Sequence, residues 1–232
     1  MRVDDVPMVR QLRLFAGMSN ESFADLVQGA FLQRFPSQVV LVEEGAPADF
    51  LYVILEGQVE LFARDNDRET TMAIAEPVTT FILAAALKDA VYLMSARTLA
   101  ASRLLMIPAE TVRQMIKCDP AFSQAMVVEL ANAFRSMVKA LKNLKLRSAV
   151  ERLANWLLTA HKDQGSTGSI VLSIDKRTLA ALLGMTPENL SRAFGALRHY
   201  GIGVTGRTIA VANFSDLRKL AKPNPLIDDA MT

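Results

Sequence analysis

The residues best suited to chemistry lie in one short run, Glu188-Asn189-Leu190-Ser191-Arg192, directly after Thr186-Pro187. These are the side-chain types that read base edges. Arginine donates a bidentate pair to guanine, and glutamate accepts from the cytosine amino group. At helical spacing Leu190, Phe194 and Leu197 share one face, which leaves Glu188, Asn189, Ser191, Arg192 and Arg198 on the other. Thr186 suits an N-cap and Pro187 the first helical position, where a missing N–H costs nothing. Thr186, Glu188, Asn189, Ser191 and Arg192 are therefore read as the exposed start of a helix able to contact double-stranded DNA. Ahead of it, Leu179, Ala180, Leu182 and Leu183 give a first helix its apolar face. Gly184 can take the left-handed conformation that ends that helix, and Met185 fills the corner. Two helices joined this way form a helix-turn-helix.

Other chemistries are poorly supplied. The chain has one cysteine, Cys118, which excludes an intrachain disulfide, and two histidines, His161 and His199, which leave little for metal catalysis. It shows neither a His/Glu metal cluster nor a paired nucleophile and base. An enzyme, such as a cupin-like β-roll with a basic appendage, is therefore not expected, and no metal is expected. Cys118 reads as a half-buried residue closing a helix before Asp119-Pro120, with a redox switch as the other reading. No run reaches the roughly 18 apolar residues that span a bilayer. The start, MRVDDVPMVR, lacks a signal-peptide core. A cytoplasmic protein with no membrane contact is expected.

Charge agrees with the base-reading run. Residues 1–134 carry 11 Lys and Arg against 17 Asp and Glu, whereas residues 135–222 carry 15 against 5. A basic segment of net +10 behind an acidic one of net −6 is the footprint of a nucleic-acid-binding domain attached to something else.

The positioning elements follow from periodicity. Residues 8–31 read as short helices, one capped at Ser19 or Asn20. From about 32 to 107 the period is two, in short runs broken by Glu-Gly, Ala-Pro and Asp-Asn-Asp turns, as in a β-barrel or sandwich. Within it TTFILAAALKDA reads as a short helix. PAETVRQMIKC is a helix entered with Pro108 near its first turn. A long helix from Pro120 to about Leu146 follows, whose Met126, Leu130, Phe134, Met137, Leu141 and Leu144 step by about 3.5 residues. That seam implies a homodimer. Then come the helix AVERLANWLLTAHK with Trp156 on its apolar side, the turn GSTGS, the strand IVLSI and a helix capped by Asp175. A hairpin around Thr205-Gly206 and a last helix capped by Ser215 complete a winged helix-turn-helix.

Taken together, these stretches resemble the CRP/FNR superfamily of bacterial transcription regulators. Glu188, Ser191 and Arg192 are similar to the Glu-x-x-Ser-Arg pattern of its FNR-like branch, and Gly45 and Gly57 resemble the family's β-roll glycines. The resemblance implies an α+β fold in three parts. Residues 1–119 form a cyclic-nucleotide-binding-like β-roll that senses an effector, 120–146 a central dimerisation helix, and 147–232 a winged helix-turn-helix. It also implies that Arg192 meets guanine, Glu188 the opposite cytosine and Ser191 a thymine in palindromic TTGA-type half-sites. An activator would also engage RNA polymerase.

The sensor departs from the cyclic-nucleotide pattern. TTFILAAALKDAVYLMSARTL replaces the family's Phe-Gly-Glu and Pro-Arg-Ser/Thr-Ala segments, which removes the acidic ribose ligand and the phosphate-binding arginine. The FNR-type cysteine cluster is absent. Haem would need Met, Tyr, the N-terminal amine or a histidine from elsewhere, because residues 1–119 hold no histidine; no cofactor is expected. The effector candidates are Phe81, Tyr92, Met94, Ser95, Arg97, Met126 and Leu130, an apolar wall with few polar groups that suits a small aromatic acid. Arg97 could hold a carboxylate; its other reading is a structural ion-pair partner. Tyr92 could bond a phenol, or be a core residue with a satisfied hydroxyl. The surrounding stretches resemble a subgroup with 4-hydroxybenzoate-responsive and nitric-oxide-responsive regulators.

Overall fold

Period-two sequence between Phe31 and Pro108 folds into eight strands, because alternate residues there are apolar on one face or on both. The computed structural model describes residues 1–165 and 168–229. Ser166 and Thr167 of the expected GSTGS turn, and the last three residues of the 147–232 domain, lie outside the described residues. The chain divides into two units, Met1–Ala133 and Phe134–Thr232, and the division falls within the long helix.

In the first unit, helices α1 (Val6–Arg10) and α2 (Asn20–Gly29) precede strands β1 (Phe31–Phe35), β2 (Val40–Val42), β3 (Phe50–Glu56), β4 (Val59–Asp65), β5 (Arg68–Ala75) and β6 (Thr79–Phe81). After α3 (Leu83–Lys88) come β7 (Ser95–Thr98), β8 (Ser102–Pro108), α4 (Ala109–Cys118) and the start of α5 (Pro120–Leu146). The strands form two antiparallel sheets, ordered β1-β8-β3-β6 and β2-β7-β4-β5. Strand β3 is buried on both sides. Its Leu51 and Val53 join Phe15, Leu26, Ile107, Val112, Phe122 and Met126 in a core with the helices. Its Tyr52 and Ile54 join Val59, Leu61, Phe81, Tyr92 and Leu104 in a second core. The turn from β3 to β4 requires glycine: Gly57 has φ +91°, and a Cβ there would come within 2.3 Å of the Ser102 hydroxyl.

Two local expectations need correction. Thr79–Phe81 is strand rather than helix, because it completes the β3 edge, Tyr52 opposite Phe81, and the helix shrinks to Leu83–Lys88. Pro108 stands next to the first turn of α4, as expected, at its N-cap position. The strand predicted over IVLSI is Ser169–Val171, β9, and pairs with Thr208–Ala210 of the hairpin.

Asp119 joins helix to helix. It is buried, and its carboxylate accepts from Phe122 N in the first turn of α5 and from Ser19 N, both at 2.9 Å. Ser19 in turn caps α2 by accepting from Ser22 N. These backbone donors, Phe122 N first, hold the Asp119 carboxyl below the usual range. Asp119→Ala is expected to destabilise the first unit by about 1–2 kcal/mol, read as a lower urea midpoint. Because the folded pKa is depressed, this stabilisation is complete above the unfolded carboxylate range and is lost as pH falls through the folded value. The stability curves of the wild type and the variant therefore converge in acid.

Candidate nucleic-acid interface and effector lining

In the second unit α6 (Ala149–Asp163) is followed by β9, α7 (Lys176–Leu182), α8 (Pro187–Leu197), the hairpin β10 (Ile202–Thr205) and β11 (Thr208–Val211), α9 (Phe214–Ala221) and α10 (Pro225–Asp228). Asp175 caps α7 and Thr186 caps α8 through Asn189 N, both as expected. Gly184 takes φ +62° in the turn between them. The last two helices differ from expectation. Asn213, not Ser215, caps α9, because its side chain accepts from both Ser215 N and Asp216 N, and α10 extends the chain beyond it.

Helix α8 buries Leu190, Ala193, Phe194 and Leu197 and exposes Thr186, Glu188, Asn189, Ser191 and Arg192. All five predicted DNA-binding residues thus stand together on its outer, N-terminal face. Hydrogen bonds from the Thr186 hydroxyl and its own backbone N–H, with the charge of Arg192, hold Glu188 below the usual carboxylate range. Glu188 is therefore an ionised acceptor, as a cytosine amino group requires. Beside this face Lys176, Ser191, Gly195, Arg198 and Val204 border a cleft of about 240 Å³ floored by Leu190 and Phe194. Lys176 escaped the sequence reading, although a lysine directly after an N-cap aspartate was the available signal.

Two arginines of the second unit act on backbone. Arg152 donates to Leu183 O at 2.8 Å and Gly184 O at 3.3 Å, the carbonyls of the helix-turn-helix corner, and to Arg147 O at 2.7 Å. Arg207, at the hairpin tip, donates to Leu172 O and Ser173 O. Neither was legible from spacing.

The effector candidates separate into three places. Phe81, Tyr92 and Met94 meet in the core between the sheets, where Phe81 stacks on Tyr52 with centroids 5.0 Å apart. Tyr92 donates a long hydrogen bond, 3.4 Å, to Phe50 O, and burial raises its pKa. Ser95 and Arg97 face the other side of β7, since alternate residues point oppositely. Ser95 Oγ accepts from Glu44 N. Arg97 pairs with Glu60 at 2.7 Å and Glu69 at 2.9 Å and lies over the Phe62 ring. Glu60 is only 1% exposed and also accepts from Thr71, so this guanidinium is the counter-charge of a buried carboxylate. Met126 and Leu130 belong to the helical core instead, and border a groove of about 520 Å³ with Arg113 and Ser123. Leu93, next to Tyr92 and Met94 in the chain, is exposed. Cys118 is exposed rather than half-buried.

On α5, Met126 is buried and cannot lead the seam. Val127, Phe134, Met137, Leu141 and Leu144 are all exposed, Phe134 and Met137 by about two-thirds, and with Leu130 they keep an uninterrupted three-four spacing. Among the described residues no helix is long and apolar enough to cross a membrane, and no group of three metal-binding side chains occurs.

Comparison with known proteins adds two domain matches. Residues 32–119 match the cyclic nucleotide-binding domain and residues 151–220 the Crp-like helix-turn-helix domain, together more than half of the chain. A CRP-like cAMP-activated global transcriptional regulator of Mycobacterium tuberculosis is 24% identical over 215 residues, covering 90% of this chain and 96% of that protein. The global nitrogen regulator of Nostoc is 27% identical over 188 residues, 76% of this chain and 83% of its own. Among solved structures, the c-di-GMP responsive global regulator CLP of Xanthomonas campestris aligns with a TM-score of 0.72 at 19% identity, over 84% of this chain and 100% of that one. FixK2 of Bradyrhizobium japonicum aligns at 0.71 and 21%, over 84% and 98%. These two likenesses concern the fold.

Proposed function

The chain belongs to the CRP/FNR family of transcription regulators, and from that premise we propose that it works as a homodimer reading palindromic TTGA-type half-sites under the control of a small aromatic effector in the β-roll. The observation that carries the DNA half is the face of α8: Glu188, Ser191 and Arg192 are exposed at the start of a capped helix, with the glutamate held ionised. In this reading Arg192 pairs with guanine, Glu188 accepts from the opposite cytosine, Ser191 lies near thymine, and Thr186 and Asn189 reach neighbouring groups. The exposed α5 stripe supports the dimer, because a 3.5-residue repeat of that length is the surface two helices bury against each other. Such a protein acts in the cytoplasm, with RNA polymerase as a further partner if it activates.

For the effector, the support for an aromatic ligand is the residue types gathered between the sheets. Tyr52, Phe81 and Tyr92 bring three rings together beside Met94, but Phe81 stacks on Tyr52 and the tyrosine hydroxyls donate to Leu41 O and Phe50 O, so an aromatic ligand would have to displace these contacts. The geometry does not support Arg97 as carboxylate anchor, since Arg97 lies on the far side of β7 with Glu60. The named cAMP dependence of the mycobacterial relative suggests a cyclic nucleotide. Here the segments Phe81–Ala85 and Val91–Leu93 carry neither a carboxylate for the ribose nor a cation for the phosphate.

The test is an absorbance spectrum and native mass spectrum of the purified protein, then titration with 4-hydroxybenzoate and with cAMP. The expected result is a colourless dimer that takes up one aromatic acid per subunit and changes its DNA affinity. A Soret band would replace this effector with haem and make a nitric oxide sensor the better reading. Saturable cAMP binding would return the chain to the cyclic-nucleotide branch.

A further inference from the structure

Residues Asn224 to Asp229 turn back along the C-terminal part of α5 in the same unit. Arg147 Nη1 and Nη2 donate to the two carboxylate oxygens of Asp228 at 2.6 and 2.5 Å. Lys139 Nζ donates to Asp229 O at 2.7 Å and Lys142 Nζ to Leu226 O at 3.3 Å. The segment is stiffened locally: Asn224 accepts from Leu226 N, and Asp228 accepts from Asn224 N. The arginine side chain is only 8% exposed beneath it.

Two features give this contact a purpose. At 3.6 residues per turn, Lys139 and Lys142 project from the side of α5 away from Met137, Leu141 and Leu144, and Arg147 follows directly after the helix ends. The segment therefore leaves the apolar stripe open. The same Arg147 also stands where α5 ends and Ser148 begins the cap of α6. Its carbonyl accepts from Arg152, which holds the carbonyls of Leu183 and Gly184 at the helix-turn-helix corner. Leu144, one turn earlier, lies where a Cβ on Gly184 would strike it. The junction between α5 and α6 is thus held twice, once to the corner that starts α8 and once to the C-terminal segment.

The second hold is detachable. No residue from Lys222 to Asp229 is buried, and Leu226 is 59% exposed, so the segment adds little to the core. Its attachment includes one bidentate ion pair and two lysine-to-carbonyl hydrogen bonds.

We propose that Asn224–Asp229 is a clasp on the back of α5 that fixes the α5–α6 junction and thereby the orientation of the recognition helix α8 to the end of the dimer helix. The consequence for palindrome binding rests on the dimer reading above. With the clasp closed, the two recognition helices accept one half-site spacing; with it open, the junction swivels and the spacing requirement relaxes.

The experiment uses the full chain, Asp228→Asn, and a chain stopped after Pro223, each confirmed folded by circular dichroism. Two quantities are read: hydrogen exchange of the backbone amides of residues 145–150, and affinity for palindromes whose half-site separation is varied by one and two base pairs. The expected result is exchange at least tenfold faster in both variants. Spacing discrimination should fall from about tenfold or more to under threefold, with the half-site sequence preference unchanged. Pairing Arg147→Asp with Asp228→Arg should restore both readings. Wild-type exchange and spacing preference in both variants would overturn the clasp. Faster exchange with unchanged spacing preference would overturn its role in orienting α8. If the wild type prefers no palindrome, the dimer reading fails and the exchange result alone decides whether the clasp stands.

Discussion

Arg192→Ala removes the preference for guanine at one position of each half-site, at about 1–3 kcal/mol per contact. At 1.4 kcal/mol per factor of ten, that is roughly 5- to 150-fold for each half-site. The loss is confined to that position because Arg192 is exposed on α8, while Leu190, Ala193 and Phe194, which hold the helix, are untouched. A phosphate contact behaves differently. If Lys176, at the rim of the neighbouring cleft, meets a phosphate, Lys176→Ala is expected to weaken binding to all sequences alike and lower the salt slope by about 1. Competition binding against a panel of single-base variants separates the two patterns. An Arg192→Ala protein with unchanged base preference would remove α8 from the reading of sequence.

Leu141→Glu is expected to disrupt the proposed dimer. Leu141 is 52% exposed in the single chain and lies between Met137 and Leu144 on the α5 stripe, so the substitution leaves the fold of the monomer intact. In the dimer it replaces two leucines, each contributing about 1.5–3 kcal/mol on full burial, and places two carboxylates near the symmetry axis. Dimer affinity is expected to fall by at least a hundredfold, about 3 kcal/mol, and palindrome binding with it. Sedimentation equilibrium measures this directly. A Leu141→Glu protein that remains a tight dimer would place the interface elsewhere.

The sequence announced those features whose causes are local. The caps at Ser19, Asp175 and Thr186, the left-handed Gly184 and the outward face of α8 each depend on residues within one or two turns, and each stands where its residue types require. The facing of β7 was not legible. Ser95, Ala96 and Thr98 are all buried, and a strand buried on both faces gives no parity to show which side Arg97 takes. Its partner Glu60 is on β4, 37 residues away. Helix α5 poses the same difficulty at its start. Phe122 and Met126 serve the first unit's core while Val127 opens the stripe, so two apolar faces overlap and the seam starts one residue later than the spacing predicts. The cap of α9 is ambiguous in the sequence because Ser215 and Asn213 are both good caps two residues apart. The links made by Arg152 and Asp228 span 31 and 81 residues, and in the sequence Asp228 counts only as acidic charge.

The central claim is that this dimeric regulator reads DNA through Glu188, Ser191 and Arg192. Its most direct test is to select binding sites from randomised duplex DNA with the purified protein, in parallel with Arg192→Ala, and to sequence the bound fraction. The account predicts a palindrome of TTGA-type half-sites about one helical turn apart, with the guanine signal lost in the variant. No enriched motif, or the same motif from both proteins, would contradict it.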